Sequence, residues 1–180
     1  MKITLPDPCL VILCGPAACG KTTFARRHFK STQIVSSDHC RAMLTDSEAA
    51  IWASPQAFEL FHDIIRTRLR FNRLTVADST ALGKPARAEL RRLARNTGMP
   101  AVLIVFNVAN ATCLARDASR RRQVGEFIVA DHIRKLHAAI TDIRTERYEA
   151  VYVLDENEMD DVRIRRPRKR RTNTEHRMDE

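Results

Sequence analysis

The chain has 180 residues, 44% of them hydrophobic, and 31 lysines and arginines against 22 acids give a net charge of +9. That length suits one α/β domain with a substantial core and leaves little room for a second. No run approaches the ~20 apolar residues a membrane-spanning helix needs, and five cysteines without C-x-x-C spacing argue against a disulfide framework.

Along the chain, Met1 to Leu13 is broken by Pro6, Asp7 and Pro8, so no signal peptide is read there and a cytoplasmic protein is expected. Leu10 to Leu13 reads as a buried strand, and it enters GPAACGKT, Gly15 to Thr22. This stretch fits G-x-x-x-x-G-K-[ST] at every required position. Gly15, Pro16, Ala17, Ala18, Cys19 and Gly20 form a loop whose backbone N–H groups converge on an anion, and Lys21 reaches the β- and γ-phosphates. Thr22 offers a hydroxyl to Mg²⁺, and Thr23 opens a helix running to Phe29, which sets the phosphates on a helix N-terminus. ATP and Mg²⁺ are the cofactors expected. Cys9, Cys14 and Cys113 read as small buried apolar residues. Cys19 lies within the phosphate loop, where alkylation would block the nucleotide. The histidines show no metal-ligand spacing, and no zinc site is expected.

Gln33 to Ser36 reads as a short strand that delivers Asp38 at its end, with His39 to Leu44 helical. Ser54-Pro55 marks the next helix start, with Ser54 as N-cap, and Phe58, Phe61, Ile64, Ile65 and Leu69 form its apolar stripe. Leu74 to Ala77 is a strand ending on Asp78. That acid reads either as a Walker-B carboxylate holding Mg²⁺ or as a cap on the following helix. Gly83 to Asn96 is a basic amphipathic helix stopped by Gly98 and Pro100. Ala101 to Phe106, AVLIVF, is a central parallel strand, Asp131 to Tyr148 a long helix, and Val151 to Leu154 the last strand. The alternation predicts a P-loop NTPase-type parallel sheet flanked by helices, residues 1–154.

Between the last two strands, at about 110–132, Arg116, Arg120, Arg121 and Arg122 fall within seven residues. They read as a lid over the triphosphate, or else as an exposed basic helix. From Asp155 onward, five acids in DENEMDD precede seven basic residues in RIRRPRKRR. Residues 155–180 are therefore expected to be a charged, disordered tail, either solvated or gripping nucleic acid, and deletion of Val162 to Glu180 is expected to leave the fold intact. Phosphoryl transfer also needs a base for the acceptor hydroxyl. Asp38 suits that role, and Arg41, three residues on, shares its helix face and can hold an acceptor phosphate.

In order and spacing, GPAACGKTTFARRHF, IVSSDHCR, LTVADST, AVLIVFNV, the arginines before RQV, and VYVL resemble the 5′-OH polynucleotide kinase module of the bacterial polynucleotide kinase–phosphatase RNA-repair enzymes. The resemblance spans Leu10 to Leu154. It implies transfer of the ATP γ-phosphate to the 5′-OH end of RNA or DNA, with Asp38 as general base and Arg41 on the acceptor phosphate. Lys21, Thr22 and Thr23 would serve ATP and Mg²⁺, and Arg116 and Arg120 the lid. His62 matches a family position on the acceptor side but reads equally as a packed histidine. Trp52 falls in the acceptor-side loop, to stack on a terminal base or to cover core. Three departures stand out: Ala81 replaces a common Asn, the lid is about one residue shorter, and no phosphatase or ligase module follows, which implies a separate partner for those steps. Two other readings stay open, a P-loop kinase of a small molecule such as a sugar, antibiotic or nucleotide sugar, and a non-catalytic ATP-dependent nucleic-acid binding module.

Overall fold

Strand residues of alternating direction and helices with one apolar stripe have to share a core, and the computed structural model, which describes residues 1–167, shows how they do so. Five parallel strands form the sheet: β2 (Leu10–Cys14), β3 (Ile34–Ser36), β4 (Thr75–Asp78), β5 (Ala101–Phe106) and β6 (Ala150–Leu154). They run in the order β3-β4-β2-β5-β6. The helices are α1 (Lys21–His28), α2 (Ser37–Thr45), α3 (Ser54–Arg70), α4 (Lys84–Asn96), α5 (Asn110–Ala118) and α6 (Glu126–Ile143).

Both faces of the sheet are covered, as a fully parallel sheet requires. Val11, Leu13, Val102, Ile104 and Phe106 point to one side and pack with Phe24 of α1, Cys113 of α5 and Val129 of α6. Leu10, Ile12, Cys14, Leu103 and Val105 point to the other and meet Phe61, Ile65 and Leu69 of α3 with Leu90 and Leu93 of α4. The period of two along β2 and β5 divides the core in this way. Among the described residues no helix is long and apolar enough to cross a membrane.

Several local expectations are corrected. Asp38 lies in the first turn of α2, not at a strand end, because Ser36 caps that helix by accepting from His39 N–H. Ser54 is not the N-cap of α3. The chain enters α3 from a 3₁₀ turn at Ile51–Ala53, and the Ser54 hydroxyl accepts from Arg41 Nε at 3.3 Å instead. The last long helix begins at Glu126 rather than Asp131 and ends at Ile143 rather than Tyr148. Its start is set upstream by Gly125 at φ 93°, and Asp131 pairs with Arg134 and Lys135 within the helix.

The charged stretch after Leu154 is also corrected, as far as it is described. Asp155 to Pro167 folds back on the sheet: a 3₁₀ turn at Glu158–Asp160 buries Met159, Val162 is 6% exposed, and β7 (Arg163–Arg165) pairs in parallel with β1 (Lys2–Thr4). Two apolar side chains among the acids and bases supply the anchoring that charge counting missed. The remainder of the expected tail, 168–180, lies outside the described residues.

Candidate active site

The carboxyl ends of β2, β3 and β4 open onto one edge, where ligands lie in an open α/β sheet. The phosphate loop leaves β2 there. Gly15 is required by close approach, since a Cβ would lie 2.9 Å from both Cys19 Sγ and Phe106 Cβ. Gly20, at φ 102°, would set a Cβ 2.9 Å from Met159 Cε. Ala18 takes φ 61° without glycine's freedom, a strain of about 1–2 kcal/mol. Lys21 is 8% exposed and its Nζ donates to Gly15 O at 3.0 Å, to Pro16 O at 2.6 Å and to Cys19 Sγ at 3.6 Å. Cys19 is wholly buried beneath the loop. Cys9, Cys14 and Cys113 are buried as expected, and burial pushes the first to about 12 and the other two to about 11.

Thr22 Oγ1 donates to Asp78 Oδ2 at 2.8 Å. Asp78 caps no helix, because α4 begins six residues later with Gly83 at its N-cap. Burial pushes the Asp78 carboxyl up, while the Thr22 hydrogen bond and Lys21 pull it down. A buried carboxylate whose one short bond is to a hydroxyl fits a cation. Thr22 and Asp78 would hold Mg²⁺, which when bound neutralises charge on the phosphates.

Two cavities flank the loop. The first, 310 Å³, is lined by Ala18, Gly20, Phe24, Arg116, Arg120 and Met159 among others. Glu156 also lines it, and its buried Oε2 has no hydrogen-bond partner. With Arg116 and Arg120 in its wall beside the phosphate loop, the residues present fit a nucleotide. The second, 490 Å³, brings Asp38 together with Thr22, Asp78, Arg26, His39 and Glu48. Thr23 and Arg120 line both. A larger cavity of 650 Å³ at the opposite end of the sheet, near Pro8 and Tyr152, carries no comparable grouping.

The arginines divide by position. Arg116 Nη1 donates to Cys19 O at 3.1 Å, on the loop itself. Arg122 Nη1 lies 3.9 Å from Asp38 Oδ2 and 3.8 Å from Glu48 Oε2. Arg121 is exposed. Asp117, 4% exposed, closes the turn that carries them by accepting from Val124 N–H and Gly125 N–H, the latter at 2.9 Å.

Arg41 and Asp38 share a helix face as their spacing requires, with Nη1 donating to Asp38 Oδ1 at 2.7 Å. Arg41 is 5% exposed and also donates to Glu48 O at 2.9 Å and to Ser54 Oγ, so its guanidinium faces inward. Trp52 is 78% exposed and covers no core, though it is not in the wall of the Asp38 cavity. His62 is a packed histidine, its ring between Phe58 and Phe61 on α3, and burial holds its pKa down. It too stands away from that cavity. Sequence reading missed Glu48, Asp117, His132 and Glu156. None belongs to a motif; Glu48, Asp117 and His132 act through partners far along the chain or across a turn, and Glu156 lines the first cavity.

A phosphate loop with its lysine, a threonine–aspartate pair and a carboxylate across a shared cavity define a P-loop kinase using ATP. The chain belongs to the AAA domain family, whose model matches residues 10–143. No curated protein matches the sequence. Among solved structures it is similar to a protein from Chloroflexus aurantiacus J-10-fl (16% identity, 86% of this chain and 94% of that one, TM-score 0.60). It is also similar to a gluconokinase from Sinorhizobium meliloti 1021 (15%, 84% and 84%, 0.53) and to shikimate kinase from Bacteroides thetaiotaomicron (11%, 85% and 93%, 0.52). At these identities the likeness is one of fold.

Proposed function

We propose that the protein transfers the ATP γ-phosphate to a hydroxyl of a small polyhydroxy molecule, with Asp38 as general base. The observation that carries this reading is the commitment of Arg41. Its guanidinium is buried and bonded to Asp38, Glu48 and Ser54, so it orients the base instead of meeting an acceptor phosphate. The cavity in front of Asp38 alternates carboxylates (Asp38, Glu48, Asp78) with Arg26 and Arg120. Hydroxyl groups, which donate and accept, satisfy both. Two of the similar folds are named as kinases of small molecules, gluconokinase and shikimate kinase. Lys21 would draw charge from the β- and γ-phosphates, and Arg116 and Arg120 from the transferred group.

A polynucleotide 5′-OH acceptor is the second reading. It is favoured by the motif resemblance and by exposed Trp52, which is free to stack on a base. A separate phosphatase or ligase protein would then complete an end repair.

The test is γ-labelled ATP with Mg²⁺ against sugars, polyols, nucleosides and 5′-OH oligonucleotides, for wild type and Asp38→Asn. Label on a small alcohol, lost by about 10²- to 10⁴-fold in the variant at unchanged ATP affinity, is expected. Label on oligonucleotides alone would replace the first reading by the second. Full activity of Asp38→Asn would overturn both.

A further inference from the structure

The arginine-bearing segment is tied to the phosphate loop at both of its ends. At the near end Arg116 donates to Cys19 O at 3.1 Å. At the far end Nδ1 of His132, in the second turn of α6, accepts from Ala17 N–H at 3.2 Å. The two tied groups bracket Ala18, the residue held at φ 61°. An alanine stays in the left-handed region only where its surroundings over-determine it.

We propose that His132 is a positioning residue of the nucleotide site: its neutral imidazole holds the Ala17 peptide, so that the phosphate loop keeps its anion-binding shape. The inference concerns the nucleotide half of the site and stands whichever alcohol is phosphorylated.

The bond demands a specific protonation state. A nitrogen accepting from a backbone N–H carries no proton, so the ring is neutral with its hydrogen on Nε2. The surroundings agree. Burial first, then the charges of Lys21 in the loop and Lys135 on the same helix, hold its pKa below the ordinary histidine value, with Asp131 opposing. Protonation would turn Nδ1 into a donor facing a donor and set a second positive charge beside Lys21. Lowering the pH should therefore release Ala17 and loosen the loop.

The test is calorimetric titration with ATP and Mg²⁺ between pH 5.5 and 8, with no acceptor present, on wild type, His132→Asn and His132→Leu. Asparagine sets Oδ1 where Nδ1 lies and does not titrate. At pH 7.5 His132→Asn should bind like wild type. His132→Leu should bind about three- to tenfold more weakly, the loss of one hydrogen bond. Toward pH 5.5 the wild type should lose affinity relative to His132→Asn, a comparison that cancels the protonation of ATP itself. Equal affinity of His132→Leu and wild type at pH 7.5 would overturn the proposal. So would a wild-type to His132→Asn ratio that stays constant or rises on acidification, the rise marking the imidazolium as a direct phosphate contact. Should His132→Leu fail to fold by circular dichroism, the asparagine comparison decides alone.

Discussion

Thr22 and Asp78 lie 56 residues apart in sequence and are joined by a 2.8 Å hydrogen bond between the first turn of α1 and the end of β4. The pair sets a hydroxyl and a buried carboxylate at the mouth of the phosphate loop. Thr22→Val or Asp78→Asn should raise the Mg²⁺ concentration needed for half-maximal activity by about 10- to 100-fold. A magnesium titration at saturating ATP measures this, and an unshifted curve would remove both residues from the metal's surroundings.

Arg41 is expected to act through Asp38. Arg41→Lys keeps the charge but cannot reproduce bonds to Asp38, Glu48 and Ser54 at once. The turnover number should fall by about 10²-fold, as for a displaced reacting group, with the KM for ATP unchanged. If Arg41 instead bound an acceptor phosphate, the loss would appear in the acceptor KM and only for acceptors that carry one.

Arg116 and Asp117 are neighbours with separable roles. Arg116→Ala should cost about 10³-fold in turnover if its charge meets the transferred group, while leaving the turn 119–125 intact. Asp117→Ala removes the acceptor for Val124 N–H and Gly125 N–H and should destabilise the protein by about 1–3 kcal/mol. Amide exchange at those two positions should quicken in Asp117→Ala and not in Arg116→Ala. Identical exchange in the two variants would refute the division.

Glu146 neutralises Arg87, which is wholly buried. Arg87 Nη2 donates to Oε1 at 2.8 Å, and its Nη1 holds Ala81 O and Leu82 O, bolting the loop after Asp78. Glu146→Ala leaves that buried guanidinium with only Asp142 Oδ2, at 3.8 Å, as a charge partner and should cost up to about 3–5 kcal/mol, read as denaturant midpoint. Burial opposes ionisation of Glu146, but the Arg87 and Tyr148 hydrogen bonds hold its pKa below the ordinary glutamate value. Its stabilisation is therefore present above the unfolded-state pKa and lost as pH falls through the lower folded-state one. Stability measured from pH 6 to 3 should fall more steeply in wild type than in Glu146→Ala.

Truncation before Val162 should destabilise the fold, because it removes a buried valine and the partner strand of Lys2–Thr4. Truncation after Pro167 keeps both and should give the higher melting temperature of the two. Equal melting temperatures for the two truncations would mean that β7 contributes nothing.

The sequence by itself determined the sheet, the phosphate loop and most of the helices, because these are written in short-range pattern. AVLIVF, β-branched and bounded by Pro100, reads as a strand covered on both sides, and G-x-x-x-x-G-K-T specifies a loop through backbone freedom and one charge. It also determined that Asp38 and Arg41 share a face, since a spacing of three does so on any α-helix. What those two side chains then do was decided by tertiary structure. Arg41 turns inward because Glu48 O and Ser54 Oγ, from elements whose approach no local pattern encodes, offer it acceptors. The same holds for Trp52 left exposed, His62 packed among phenylalanines, and Met159 and Val162 anchoring a stretch that charge alone marked as tail. The ties of His132 to Ala17 and of Glu146 to Arg87 span 115 and 59 residues. Partners so distant have no periodicity to betray them, and only the folded chain brings them within hydrogen-bond reach.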